Sequence, residues 1–374
     1  MSASSSGEPL EHATAIARAV RDAGGRALVV GGWVRDRIRR EQDPSVPDGK
    51  DIDLEVFGLD APALRTLLDR FGRTEAVGES FQVFKVGALD VSLPRWESKA
   101  GRGHRGFDVR GDPAMRLEDA ARRRDFTVNA ISWDPLTGEY LDPFDGRSDI
   151  VSGVLRVVDS RTFADDSLRV LRAVQFAARF EYAVAAETVA ICRTIPLDDL
   201  PAERIWGEVE KLLFARRPSI GLALALDLGV VDRLFPELKA LVGCPQEQEW
   251  HPEGDVWVHT LQVVDQARVR IDDLPRPQGL AIMLGAVTHD FGKPATTAFI
   301  DGRTRSIDHE EQGVAPATVF LDRLNVNSLD GYDVRRQVLG MVAQHLKPGM
   351  WFKRRDEVGD CLLYTSDAAD DTPC

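Results

Sequence analysis

A short apolar run, Leu28-Val-Val30, leads directly into Gly31-Gly32 and then Trp33-Val-Arg-Asp36, and Asp51-Ile-Asp-Leu-Glu-Val-Phe57 follows shortly after. The β-branched run reads as a buried strand, and the residues from Trp33 to Arg40 read as a helix. A strand that feeds a glycine pair and a helix lets backbone N–H groups come close to a phosphate, because no Cβ stands in the way. In the second run Asp51 and Asp53 alternate with Ile52 and Leu54. Side chains on a strand alternate with a period of two, so both carboxylates face the same way. Side by side they repel unless a cation lies between them, and hard oxygen ligands suit Mg²⁺. The pair of segments therefore predicts a phosphate cradle beside a metal-binding strand.

The rest of the chain arranges itself around this core. Residues 8 to 23 predict an amphipathic helix with Leu10, Ala13, Ile16, Ala17 and Val20 on one face. The stretch 41–50, with Pro44, Pro47 and Gly49, is a loop, and Asp60 caps a helix expected to run to Arg70. Phe81–Val86 and Leu89–Leu93 predict a hairpin through Gly87, with Asp90 on its second strand. Residues 95–111 carry Arg95, Lys99, Arg102, His104, Arg105 and Arg110 without an apolar period, which predicts a flexible basic loop. Turn signals surround a short hairpin between Trp133 and Gly146. From Thr162 the pattern is helical, with helices expected over 201–216 and 218–234.

Three strings carry a specific resemblance. Arg123-Arg-Asp-Phe-Thr-Val-Asn-Ala130 resembles the arginine motif of the bacterial-type (class II) tRNA nucleotidyltransferases and their poly(A) polymerase relatives. Asp165-Asp-Ser-Leu-Arg-Val-Leu-Arg-Ala173 resembles that family's nucleotide-selecting helix, with Asp165 where the family often has Glu. Glu203-Arg-Ile to Lys211-Leu-Leu213 resembles its neck. The resemblance implies that Asp51, Asp53 and Asp90 hold two Mg²⁺ ions for in-line phosphoryl transfer, and that Gly31, Gly32 and Arg35 cradle phosphates. It implies that Arg123 and Arg124 grip the triphosphate as guanidinium forks, Asp125 recognises the ribose, and Asn129 supports that pocket. Asp166 and Arg169, three apart and expected on one helix face, would read the base, with Arg172 beside them. A carboxylate accepting from an exocyclic amine and a guanidinium donating to the ring suit cytosine and adenine, and they oppose uracil and guanine. The implied activity is template-independent addition of CMP and AMP from CTP and ATP to the 3′ end of tRNA. A poly(A) polymerase or a CC-only or A-only adder shares these motifs and stays open.

A second set of motifs lies after residue 250: Val258-His-Thr, Thr288-His-Asp-Phe-Gly-Lys293 and Asp308-His-Glu310. It resembles the HD-type metal-dependent phosphohydrolases. That resemblance implies His259, His289 and Asp290 as ligands of a divalent metal (Mg²⁺, Mn²⁺, Ni²⁺ or similar), with His309 and His345 as candidates for phosphate or a second metal. HD domains usually complete their site with an Asp on a later helix, and none stands out between His345 and Asp360, so an incomplete set is expected. A chain with only this site active, on a nucleotide-binding head, is the rival of another class.

The expected fold is α+β: a polymerase-β-like head with a mixed sheet and helices, then an all-α neck and body, then an all-α HD domain. The expected boundaries are an N-terminal helix over 1–25, the head over 26–158, the body over 159–242, and the HD domain over 250–360. Residues 361–374 resemble a translated sequencing-library adapter and are expected to be a non-native tail. A net charge of −13 argues against a general nucleic-acid coat protein but leaves room for a local basic face that binds RNA. The four cysteines show no disulfide or metal spacing, and no secretory leader or membrane-length apolar run is present. These features predict a cytoplasmic enzyme with no membrane and no obligatory protein partner.

Overall fold

The strand Arg26–Val30 is buried from Ala27 onward on both faces, which places it inside a sheet rather than at its edge. In the computed structural model, which describes residues 7–47, 49, 51–77, 83–99 and 107–353, it lies within a seven-stranded sheet. The strand order is Thr74–Val77, Val83–Val86, Leu89–Ser92, Ile52–Phe57, Arg26–Val30, Ser132–Trp133 and Tyr140–Leu141. Ile52–Phe57 runs antiparallel to Arg26–Val30 and parallel to Leu89–Ser92, so the sheet is mixed, as expected. The parallel pair puts Asp53 opposite Asp90. The helix Gly7–Asp22 covers this sheet with Ala13, Ile16, Ala17 and Val20, all fully buried. Burying a side chain of the size of Ile16 or Val20 stabilises by about 1.5–3 kcal/mol.

The chain divides into two compact units, one of Met1–Ala173 with Tyr182–Leu200, the other of Val174–Glu181 with Pro201–Cys374. The return of Tyr182–Leu200 to the first unit has a local cause: Ala183–Val184 pairs in parallel with Val154–Leu155. A reading by motifs divides the chain at 158, between the two partners of this pairing, because a two-residue bridge leaves no periodic trace in sequence.

Among its described residues the second unit is helical apart from one hairpin, Thr297–Ile300 with Arg303–Ser306, which the all-α expectation lacked. Its central helix, Arg276–Thr288, is buried along nearly its whole inner length and lies against Val256–Arg268 and Val334–Gln344. Met341 packs over Gly285 at the second contact, its methyl 2.8 Å from where a Cβ would stand.

Three local expectations are corrected. The helix capped by Asp60 ends at Leu68 instead of Arg70. Residues 95–99 and 107–111, expected as loop, form an antiparallel pair of strands. They belong to a separate two-stranded sheet, and Trp96 is half exposed, so no core face marks their sequence with a period. The expected 218–234 helix is two helices, Pro218–Asp227 and Val230–Leu234, divided where Gly229 takes a left-handed φ of 70°. Among the described residues no helix is long and apolar enough to cross a membrane. Lys99 has a described backbone only, the segment 101–106 that holds Arg102, His104 and Arg105 lies outside the described residues, and so does the tail beyond Lys353.

Candidate functional site

The glycine turn, the acidic strand and the arginine string meet in the first unit. Gly31 caps the helix Gly32–Gln42 with a φ of 76°. A Cβ on it would lie 3.4 Å from both the Arg124 Nη1 and the Asp53 Oδ2. The turn therefore needs glycine for its backbone angle, and the missing side chain leaves room between a cation and a carboxylate. Asp51 precedes the Ile52–Phe57 strand, Asp53 is on it, and both are exposed. Desolvation by the surrounding chain raises the Asp53 carboxyl above the usual range. Arg124 acts against this shift, the negative charges of Asp90 and Asp51 add to it, and Lys85 opposes it. A carboxylate crowded by two others is the kind of site a cation stabilises, but among the described residues the side-chain oxygens of Asp51, Asp53 and Asp90 do not form one of the groups close enough together to hold an ion. Lys85, cross-strand from Asp90, places its Nζ 3.0 Å from the Asp90 Oδ1.

The arginines are held by an acid that the sequence reading passed over. Glu55 continues the alternation of Asp51 and Asp53 but is buried, and its Oε1 accepts from the Arg123 Nη2 at 2.7 Å. Its Oε2 is 3.7 Å from the Arg124 Nη2. Burial lowers the Arg124 pKa, Glu55 counters it, and Arg123 lowers it further. The third acid of Asp-x-Asp-x-Glu was the available signal.

A second chain of contacts is buried next to it. Asp125 accepts from the Arg172 Nε at 2.6 Å and from the Asn129 Nδ2 at 2.9 Å, and the Asn129 Oδ1 accepts from the Arg35 Nη1 at 2.6 Å. Burial pushes the Asp125 carboxyl up, but Arg172 and Asn129 outweigh it and hold it below the usual range. Arg35 also donates twice to Asp36, at 3.0 and 2.8 Å, and is only 4% exposed. Its place is therefore beneath the glycine turn, as an internal tie. This differs from the expected open phosphate ligand. The spacing carried the signal, since Val34, Arg35 and Ile38 form the buried side of that helix.

Asp166 and Arg169 do not share a helix face. The helix is Leu168–Phe180, and Asp166 stands ahead of it with its Oδ1 accepting from the Leu168 N–H at 3.1 Å. Short polar side chains before an apolar run favour such starts over helix interiors. Arg169 donates to the backbone carbonyls of Thr162 at 2.9 Å and Arg123 at 2.6 Å, which links the start of this helix to the arginine string.

In the second unit the histidines converge on one acid. The Nε2 atoms of His289 and His259 lie 3.1 and 3.9 Å from the Asp290 Oδ2, and those of His309 and His345 lie 3.4 and 3.8 Å from its Oδ1. Each ring has its Nδ1 against an acceptor: Glu253 for His259, and the carbonyls of Ala286, Ser306 and Val342 for His289, His309 and His345. The four Nε2 atoms surround one carboxylate, and those of His309 and His345 lie 3.1 Å apart, so one of that pair carries a proton between them while His259, with its Nδ1–H held by Glu253, turns a lone pair inward. Asp290 is 1% exposed, and neither of its oxygens accepts a well-formed hydrogen bond, although the Lys293 Nζ is 2.8 Å away. Lys293 supplies one positive charge to this acid, and the remaining ligand atoms lie close enough together to hold a metal, as His259, His289 and Asp290 on one side and Asp290, His309 and His345 on the other.

Burial lowers the pKa of His259 and His345, which favours the neutral ligand form. His309 is raised, because Asp290 and the Ser306 carbonyl outweigh its burial. The approach of His309 depends on Gly292, where a Cβ would come 1.9 Å from the His309 carbonyl oxygen. The site opens into a pocket of about 360 Å³ whose lining includes Trp250, Lys293 and Arg305.

The chain is similar to known proteins. The family described as the poly A polymerase head domain matches residues 27–156, and that described as a probable RNA and SrmB binding site of polymerase A matches 187–241. The multifunctional CCA protein of Stenotrophomonas maltophilia strain K279a is 41% identical over 313 residues, covering 80% of this chain and 72% of that protein. That of Xanthomonas campestris pv. campestris strain B100 is 36% identical over 351 residues, covering 91% and 80%. Among solved structures, a CCA-adding enzyme with CTP superposes with a TM-score of 0.61 at 18% identity, covering 98% of this chain and 77% of the other. The Thermotoga maritima CCA-adding enzyme complexed with tRNA gives 0.60 at 18%, covering 98% and 76%. The superpositions speak for the fold, and the sequence matches carry the kinship: this chain belongs to the class II CCA-adding tRNA nucleotidyltransferase family.

Proposed function

We propose that the first unit adds CMP and AMP to the 3′ end of tRNA, taking CTP and ATP as donors and releasing pyrophosphate. The observation that carries this is the approach of Asp53 and Arg124 to the Gly31 turn, each 3.4 Å from where a Cβ would stand. Asp51, Asp53 and Asp90 would hold divalent metal, with Mg²⁺ suited to three carboxylates. Bound there, the metal would neutralise phosphate charge and make the attacking 3′-hydroxyl easier to deprotonate. Gly31 and Gly32 let the backbone approach the triphosphate, and Arg123 and Arg124, set by Glu55, face its oxygens with charge they cannot lose. Lys85 would leave Asp90 for phosphate or remain as its counter-charge. Asp125 and Asn129 orient the ribose edge, and Arg35 and Arg172 hold those two in place. Asp166 and Arg169 select the base. RNA would be read by shape and its single-stranded end.

The test offers each of CTP, ATP, UTP and GTP, labelled, with tRNA lacking its 3′ end, and reads product length. Two C additions followed by one A is the expected result. Long A tracts would make the chain a poly(A) polymerase, and C only or A only would make it a partial adder. In the same assay Asp166→Ala should admit UTP and GTP, and unchanged exclusion would remove that residue as selector.

We also infer that the second unit is an HD-type phosphohydrolase, a reading supported by the four Nε2 atoms around a buried Asp290 without a well-formed hydrogen bond. A divalent metal held there would supply an activated water for a phosphate ester or cyclic phosphate. Lys293 and Arg305, at the same pocket, would meet the phosphate charge.

A further inference from the structure

Three of the four converging histidines are tied through Nδ1 to backbone carbonyls, which no substitution of a side chain removes. His259 is the exception. Its Nδ1 lies 2.7 Å from the Glu253 Oε1, and the same oxygen lies 3.0 Å from the Nδ1 of His251. The His251 and His259 rings meet edge to face, with centroids 4.8 Å apart. The three side chains are mostly buried, with 15% of Glu253, 22% of His259 and 26% of His251 exposed.

These atoms are close enough to hold a metal of their own, and that alternative conflicts with the rest of the site. A metal between Glu253 and the two Nδ1 atoms would need lone pairs there. The proton of neutral His259 would then sit on Nε2, pointing at the Asp290 Oδ2 3.9 Å away, and the ring would be lost as a ligand on that side. One imidazole cannot serve both. The spacings of 2.7 and 3.0 Å are those of N–H···O bonds to a charged acceptor.

We propose that Glu253 is a positioning residue: its carboxylate accepts from the Nδ1–H of His259 and of His251, fixing both tautomers and leaving the His259 Nε2 as the lone pair that faces Asp290. This rests on the reading of the second unit as a metal site. A carboxylate behind a ligating histidine also makes the ring a stronger donor, and losing such a partner typically costs about 10–100-fold in metal affinity.

The test uses the full chain, wild type, Glu253→Ala and Glu253→Gln, with thermal melts to confirm folding. The seven histidines, labelled with ¹⁵N, give the tautomer of each ring in metal-free protein at pH 8. Mn²⁺ and Ni²⁺ affinity and stoichiometry come from competition with a chelator. The expected result is loss of the Nδ1–H form at His259 in Glu253→Ala, with affinity lower by about 10–100-fold and unchanged stoichiometry. Glu253→Gln, which keeps the shape and an acceptor oxygen, should lose less in the same direction, and it decides the matter if the alanine variant does not fold. Wild-type tautomer and affinity in the folded variants would overturn the proposal. So would the loss of one bound ion per chain, which would make Glu253 a ligand itself. A wild-type chain that binds neither ion would refute the metal reading of the unit, while the tautomers would still report on the clamp.

Discussion

Removing Glu55 tests how the arginine string is held. Its carboxylate is 3% exposed and lies 2.7 Å from Arg123 and 3.7 Å from Arg124, both only about a fifth exposed (22% and 21%). The contacts are worth roughly 6 kcal/mol (Arg123) and about 4 kcal/mol (Arg124) of Coulomb energy at an effective dielectric of about 20, before desolvation is subtracted. Deleting one partner of a buried ion pair costs about 3–5 kcal/mol, because the remaining charge stays buried. Here two like charges remain, and solvent reaches both in part, which favours the lower end, about 3 kcal/mol for Glu55→Ala. Glu55→Gln keeps the shape and one acceptor, so about 2 kcal/mol is expected, within the range for hydrogen bonds to charged groups. The chain has two units, so the assay follows the thermal or urea transition that CTP shifts, which identifies unfolding of the head. KM for CTP should rise in Glu55→Gln more than kcat falls, and saturating CTP should restore part of the lost stability by supplying negative charge. A stability change below about 0.5 kcal/mol, the size of an ordinary surface substitution, would show that Glu55 does not hold the pair.

Asp53→Asn should abolish nucleotide addition while the melting temperature stays within about two degrees of wild type, because the residue is exposed and crowded by like charge; wild-type kcat with Mg²⁺ would refute the metal assignment. Gly292→Ala places a Cβ 1.9 Å from the His309 carbonyl and 2.6 Å from the Gly313 nitrogen, both backbone, so the second unit should lose at least about 3 kcal/mol and its metal binding; retention of both would show that the loop can shift. Asp159, bonded by the Arg161 guanidinium at 3.1 and 2.8 Å, has its carboxyl lowered from 3.8 to about 2. A lowered acid stabilises above its unfolded pKa, so this contribution is full above about pH 4 and is lost as pH falls toward 2. Its size is about 2 kcal/mol from the shift and nearer 1 because Arg161 is exposed. Asp159→Asn should therefore flatten the acid limb of a stability–pH curve, and an unchanged limb would refute the pairing.

The parts of the fold with a buried face were legible and the parts without one were not. Leu28–Val30 and the alternation through Ile52 and Leu54 announce strands because one set of side chains must leave water, and they do so at 0–3% exposure. The Gly7–Asp22 helix was readable for the same reason. The strands 95–99 and 107–111 pair only with each other, and the hairpin 297–306 leaves Phe299 76% exposed, so neither writes a period into the sequence. Pairing through backbone alone is invisible to a reading of side chains.

The candidate site divides along a different line, between residue type and residue partner. Asp51 and Asp53, and likewise His289 and Asp290, could be picked out because a strand period or an adjacent His-Asp pair makes a chemical demand by itself, whereas Asp90 and His259 were singled out by family resemblance. What the sequence withheld was which charge neutralises which. Arg35 looked available for phosphate, yet Asp36 and Asn129 occupy it from two sides. Glu55 looked like one more strand residue, yet it ties two arginines that lie about seventy positions later in the chain. His309 and His345, thirty-six positions apart, meet with their Nε2 atoms 3.1 Å from each other only because Gly292 lets two backbones touch. A guanidinium or imidazole is ligand, tie or base according to what its other nitrogens already hold. That allocation is decided by long-range packing, so the residues whose roles moved most between sequence and structure are the ones with the most donors to assign.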